Sequence, residues 1–153
     1  MKALREVLWA EHTRNEFPAL AQRGAVVIVP IASTEQHGLH LPVDTDCRTV
    51  EYVARQGARQ AEEIAVLVAP AISYGMSVHH MAFPGTISLR VETILALLAD
   101  VCTSISAHGF ERILVLSGHG GNGDTIRAAA LQLRFTLNRQ IRACCWFDLI
   151  PEV

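Results

Sequence analysis

Residues 25–32 read Ala-Val-Val-Ile-Val-Pro-Ile-Ala, an unbroken apolar run rich in β-branched side chains. A strand with one wet face alternates apolar and polar residues, so an unbroken run asks for cover on both faces. Helices on either side of a parallel sheet provide that cover. The signal recurs at residues 64–72 (IAVLVAPAI), at 113–116 (ILVL) and, more weakly, at 141–147 (IRACCWF). Between the runs the period changes. Val91, Ile94, Leu95, Leu98, Val101, Cys102 and Ile105 recur every three or four residues, which marks one face of a helix, and Gly109 stops it. Ile126, Ala129, Ala130, Leu133 and Leu137 form a second such set, and Val50, Val53, Ala54, Gly57 and Ala61 a third. Residues 4–10 suit a short helix. This alternation predicts an α/β fold: a three-layer domain with a mostly parallel sheet flanked by helices and joined by right-handed crossovers. The 153 residues are enough for a single domain spanning 1–153.

Composition removes several function classes. The chain is 50% hydrophobic with a net charge of −2, which excludes a disordered chain. Its longest apolar runs are near 8 residues, against about 20 for a membrane span. Glu6, Glu11 and Arg14 interrupt any signal-peptide core after Lys2. A cytoplasmic protein without membrane attachment is expected. Lys2 is the only lysine and the arginines are scattered, so nothing favours nucleic acid. Cys47, Cys102, Cys144 and Cys145 contain no C-x-x-C pair and read as reduced, largely buried thiols. Cys144 and Cys145 are adjacent in a strand-like run and should point to opposite faces.

Open α/β sheets bind ligands beyond the carboxyl ends of their strands. The first run leads into residues 33–46, the second into 74–80 and the third into 117–124. Five of the seven histidines lie in these segments, with Glu35, Asp44, Asp46 and Asp124. Imidazole and carboxylate on one edge are the ligand set of zinc, manganese or iron. Glu35 and His37, two apart, share a face if extended. Asp46 stands where the loop turns into the next helix, and His119 directly follows the third strand. Blander roles exist for each. Asp46 could cap its helix, and Glu35 could be a solvated loop residue. At least one of His79 and His80 should face solvent. His108, before Gly109, suits a charge partner at a helix C-terminus, and His12 suits the surface.

Glu35-Gln36-His37-Gly38, His40-Leu41-Pro42 and Thr45-Asp46 resemble the first signature of the creatininase (creatinine amidohydrolase) family. Phe83-Pro84-Gly85-Thr86-Ile87-Ser88-Leu89 and Gly118-His119-Gly120-Gly121-Asn122 resemble two more, in family order. The resemblance implies a metal-dependent amidohydrolase that cleaves a C–N bond in a small or cyclic amide by attack of a metal-activated hydroxide. Substrates in the family include creatinine, formamidopyrimidine intermediates and a peptide-derived cofactor precursor. It further implies two divalent metals per site (Zn, Mn or Fe), with Glu35 and His119 on one, His37 on the other and Asp46 bridging. His80, Ser77 and Asn122 would contact substrate or support the ligands. A homo-oligomer, a hexamer by family resemblance, is expected. The chain departs from creatininase itself at Gly121, where that enzyme carries a glutamate. Family members usually continue well past the length of this chain, with a further metal carboxylate and a proton-handling histidine. Asp148, after the fourth run, is a candidate substitute for that carboxylate.

Three other readings remain. Gly118, Gly120 and Gly123 fit G-x-G-x-x-G, so a nucleotide-binding α/β domain is an alternative, with Asp148 on the ribose. That reading gives Glu35, His37 and Asp46 nothing to do. A non-catalytic, metal-binding family member acting as an assembly subunit is another. A purely structural domain is the third, and it makes the loop histidines a coincidence.

Overall fold

The first apolar run forms β1 (Val26–Ile31), and its neighbours explain why it is apolar throughout. The computed structural model describes residues 2–150. Two short helices, α1 (Leu4–Val7) and α2 (Phe17–Gln22), precede β1. They are followed by α3 (Thr45–Gln60), β2 (Val66–Val68), α4 (Val91–Ala107), β3 (Arg112–Ser117), α5 (Gly123–Thr136) and β4 (Gln140–Cys145). Among the described residues the strands lie in the order β2-β1-β3-β4, and every pairing is parallel.

Alternate residues of β1 enter two separate cores. Val27, Val29 and Ile31 join Ile113 and Val115 of β3 against Ile94, Leu98 and Cys102 of α4 and Ile126 and Leu133 of α5. Ile28 joins Val66, Val68 and Leu116 against Val50, Ala54 and Ala58 of α3. Fully burying one branched aliphatic side chain contributes about 1.5–3 kcal/mol, so both faces of β1 stabilise the layers around it. The expected three-layer arrangement is therefore present. No described helix is long and apolar enough to cross a membrane.

Several boundaries differ from expectation. The second run gives only three residues of regular strand: Ala69 N–H still donates to Ile28 O at 2.9 Å, and the next bond of the ladder would need an N–H on Pro30 of β1, which has none. The chain rejoins the sheet at Ile72, whose N–H donates to Pro30 O at 2.9 Å. In a strand the N–H and C=O of one residue point to the same neighbour. The N–H that Pro30 lacks would thus face Ala69 O, and its absence ends the regular pairing with β2. The fourth strand stops at Cys145, and Trp146–Leu149 winds into a 3-10 turn. Asp148 closes that turn by accepting from Cys145 N–H at 3.1 Å. Residues 9–11 form a 3-10 turn rather than continuing α1, and α2 carried too few periodic residues to be anticipated. Gly109 does end α4, at φ +90°.

Gly118 sets how closely α3 approaches β3. A Cβ there would stand 2.5 Å from Asp46 O and 2.9 Å from Val50 Cβ. The absent side chain thus lets the first turn of α3 lie on the end of β3. In the G-x-G-x-x-G reading this glycine would face a pyrophosphate. Here it faces a helix.

Candidate metal centre

Three connections build the site, one after each of β1, β2 and β3. The loop after β1 folds back on itself, with Glu35 N–H donating to Val43 O at 3.0 Å. The long connection from Ser73 to Leu89 is pinned to it by Ile87 N–H donating to Thr34 O at 2.9 Å. Asn122 ties all three together. Its Oδ1 accepts from Met76 N–H at 2.9 Å, and its Nδ2 donates to Ala32 O at 3.0 Å and to Ser117 Oγ at 3.4 Å.

Glu35, His37, Asp46 and His119 converge. His37 Nε2 lies 3.0 Å from Asp46 Oδ1. His119 Nδ1 lies 3.2 Å from Glu35 Oε1 and 3.2 Å from Asp46 Oδ2. Glu35, Asp46 and His119 are buried, and His37 is partly open to solvent. Asp46 is in the first turn of α3, but the N-cap position is Asp44 and the Asp46 carboxylate turns to His37 and His119, so the capping role falls away.

The hydrogen-bond network assigns the tautomers. His119 Nε2–H donates to the Met76 carbonyl at 2.9 Å, leaving Nδ1 as the nitrogen that faces the carboxylates. His37 Nδ1–H donates to the Glu35 carbonyl at 3.2 Å, leaving Nε2 toward Asp46. A backbone carbonyl on the far nitrogen is how proteins aim an imidazole lone pair at a metal. With no cation between them, a lone pair and a carboxylate repel unless a proton intervenes. Burial pulls the His119 pKa down, but the Asp46 carboxylate, the Met76 carbonyl and the Glu35 charge outweigh it, and the pKa is raised.

The carboxylates have the same need. Ligand oxygens of Glu35 and Asp46 lie within 4.8 Å of each other, in one group with His37. At an effective dielectric of about 20, like charges at that spacing repel by about 3–4 kcal/mol. Glu35 Oε2 and Asp46 Oδ2 are buried without a donor, and a buried acceptor left unpaired costs about 1–3 kcal/mol. A divalent cation satisfies both oxygens, so the donor set fits a metal.

The supporting residues sort by burial. Ser77 and Asn122 are fully buried, which removes substrate contact and leaves them the role of holding the ligands. Ser77 Oγ lies 3.3 Å from His119 Nε2 and is hydrogen-bonded to Ser33 Oγ. His80 Nδ1 accepts from Gln36 Nε2 at 3.0 Å, and its Nε2 stands 3.7 Å from Glu35 Oε1, half open to solvent. Asp148 does not join the ligands. Its Oδ2 is paired with Arg127 Nη2 at 2.7 Å, which corrects the expectation that it could replace a missing carboxylate. His12 is half-buried rather than on the surface, its Nδ1 bonded to Leu8 O at 2.9 Å. Cys145 donates to His119 O at 3.9 Å, and burial raises its pKa, as it does for Cys47, Cys144 and Cys102, the last to about 11. The four thiols are free, as expected.

Sequence reasoning missed four contributors: Ser33, Ser117, the Met76 carbonyl and His79. Ser117 Oγ accepts from His119 N–H at 3.0 Å, and its place at the end of β3 was a usable signal. A carbonyl carries no sequence signal. Of His79 and His80, one was expected to face solvent, without a choice between them, and His79 was given no site role. It is exposed, yet it offers a ligand atom within 4.8 Å of those of Glu35 and His119.

Imidazole and carboxylate gathered at the carboxyl edge of a parallel sheet define a candidate divalent-metal centre on an α/β fold. The Creatininase (creatinine amidohydrolase) family model matches residues 10–151, and the chain belongs to that family. It is 43% identical over 114 residues to the mycofactocin precursor peptide peptidase of Mycolicibacterium smegmatis, covering 72% of this chain and 45% of the relative. It is 30% identical over 141 residues to the creatinine amidohydrolase of Pseudomonas putida, covering 86% and 53%. A solved creatininase variant of Zn-Zn type superposes with a TM-score of 0.82 at 26% identity, covering 99% of this chain and 61% of that one. The chain spans about half the length of the curated relatives it matches.

Proposed function

We propose that this chain carries the divalent-metal centre of an amidohydrolase that cleaves a C–N bond in a small or cyclic amide. One observation supports this most. Two imidazoles, each clamped through one nitrogen by a backbone carbonyl, aim the other nitrogen at a pair of under-satisfied carboxylates. Glu35 and His119 would hold one cation and His37 a second. Asp46 would lie between them, since its two oxygens already divide between the two imidazoles. Zinc, manganese and iron all suit this donor set, and the similar creatininase of Zn-Zn type favours zinc as the first to test. Two bound cations would acidify water and polarise an amide carbonyl.

The chain's own residues do the rest. The Met76 carbonyl and Ser77 hold His119 in one orientation, and the buried Ser33–Ser77 pair keeps water from its far side. Gln36 fixes the proton of His80 on Nε2, facing Glu35 at the solvent side. That N–H can donate a hydrogen bond to a substrate at the solvent side. The identity to a precursor-peptide peptidase exceeds that to a creatinine amidohydrolase, so peptide-derived amides come before creatinine as substrates. A homo-oligomer in the cytoplasm remains part of this proposal.

The experiment is an amine-release assay of the metal-loaded protein on short peptides and creatinine. Turnover that disappears in His37→Ala and Asp46→Asn is expected. Bound metal without turnover of either class would instead support the non-catalytic assembly subunit.

A further inference from the structure

We propose that His79 is a metal ligand, completing from the solvent side the cation position that Glu35 and His119 form from within. The inference rests on the metal reading above and adds a residue to it. Glu35, His79 and His119 each offer one ligand atom, and the three atoms lie within 4.8 Å of one another. This group is separate from Glu35, His37 and Asp46, and Glu35 is common to both. Glu35 is 5% exposed, and its Oε2 has no donor. A buried, unpaired carboxylate oxygen beside two imidazoles is a ligand set short of its ion.

The backbone holds His79 there. The 3-10 turn Val78–His80 is closed by His80 N–H donating to Ser77 O at 2.9 Å. Its base is fixed by Ser77 N–H donating to Ser88 Oγ at 2.9 Å. The His79 and His119 rings are parallel within 7°, with centroids 5.7 Å apart. Gly121 makes room for this arrangement. A Cβ at 121 would collide with His119 Nε2, stand 2.6 Å from Met76 O and 2.9 Å from His79 Cε1. Any side chain there would push His79 away and break the carbonyl clamp on His119. The neighbouring His80 is a poorer ligand, because its Nδ1 already accepts from Gln36. His79 is the exposed member of the set, so it can be replaced without disturbing the core.

The test is zinc affinity of the apo protein, read against a chromophoric chelator, with the visible spectrum of the cobalt(II) form as a second readout. His79→Ala should weaken zinc binding by at least about tenfold, since even indirect support of a ligand is worth 10–100-fold. It should also change the cobalt ligand-field bands. His108→Ala, a histidine at the far end of α4, should change neither. Gly121→Ala should lower affinity as well. Wild-type affinity and an unaltered cobalt spectrum in His79→Ala, with binding lost in Glu35→Gln, would overturn the role of His79 and leave the metal centre standing. A wild-type protein that binds no zinc would overturn both.

Discussion

Asn122 is the residue on which the three site-forming connections depend, and replacing it gives a calculable cost. Its side chain is fully buried. Asn122→Ala leaves Met76 N–H and Ala32 C=O without partners. Each orphaned buried group costs about 1–3 kcal/mol, so about 2–6 kcal/mol is expected in all. In urea, at about 2 kcal/mol/M, the unfolding midpoint should fall by about 1–3 M. Asn122→Asp separates hydrogen bonding from volume. It keeps the acceptor for Met76 but sets a carboxylate oxygen against Ala32 O, so it should be no better tolerated than alanine. Both variants should also weaken metal binding, because Met76 N–H is held by Asn122 while Met76 O holds His119. Urea denaturation followed by circular dichroism measures the first effect. A loss below about 1 kcal/mol would mean that water replaces the amide and that the strap is not what holds the site.

Four further outcomes are expected from individual residues. Gly118→Ala should cost about 1–3 kcal/mol by overpacking against α3 and should lower metal affinity as Asp46 shifts. Gly57→Ala, mid-helix with nothing within 4 Å, should be neutral or stabilising, and thermal melts compare the two. Glu16 accepts from the Thr13 N–H and hydroxyl and pairs with Arg5, which lowers its pKa to about 2. Its contribution to stability should be complete above pH 4.5 and vanish as the pH falls through about 2, so Glu16→Gln and wild type should differ at neutral pH and converge in acid. A difference independent of pH would refute that. Leu39 is fully solvated, and Leu41, Val43, Phe83 and Ile87 of the same two connections are also exposed, apolar side chains that suit self-association. Light scattering should give an oligomer for wild type and a smaller species for Leu39→Asp.

The sheet was legible because β1 is covered on both sides, and only a doubly buried strand needs an unbroken apolar run. The helices of the two outer layers were legible for the matching reason: each buries one stripe. What escaped depended on backbone chemistry or on partners far along the chain. The early end of β2 follows from Pro30 of β1, which has no N–H for the next ladder bond, and the turn after β4 from an Asp148 carboxylate that accepts from the backbone. Glu35, His37, Asp46 and His119 could be grouped because each lies at the carboxyl end of a strand or just beyond it. His79 could not be separated from His80 by spacing. A 3-10 turn brings both rings near Glu35, and Gln36 then engages the Nδ1 of His80 alone. Ser77 and Asn122 were found as site residues, but their burial, which makes them supports, is a tertiary property.

The central claim is that Glu35, His37, Asp46 and His119 form a divalent-metal centre. Metal retention after dialysis, measured with the melting temperature before and after adding zinc to the folded protein, tests it most directly. At about a hundredfold excess over Kd the stabilisation should be about 2.7 kcal/mol, raising Tm by about 5–10 °C. Asp46→Asn and His37→Ala should lose both the ion and most of that shift. A folded wild-type protein that retains no metal and melts at the same temperature with and without zinc, manganese or iron would contradict the account.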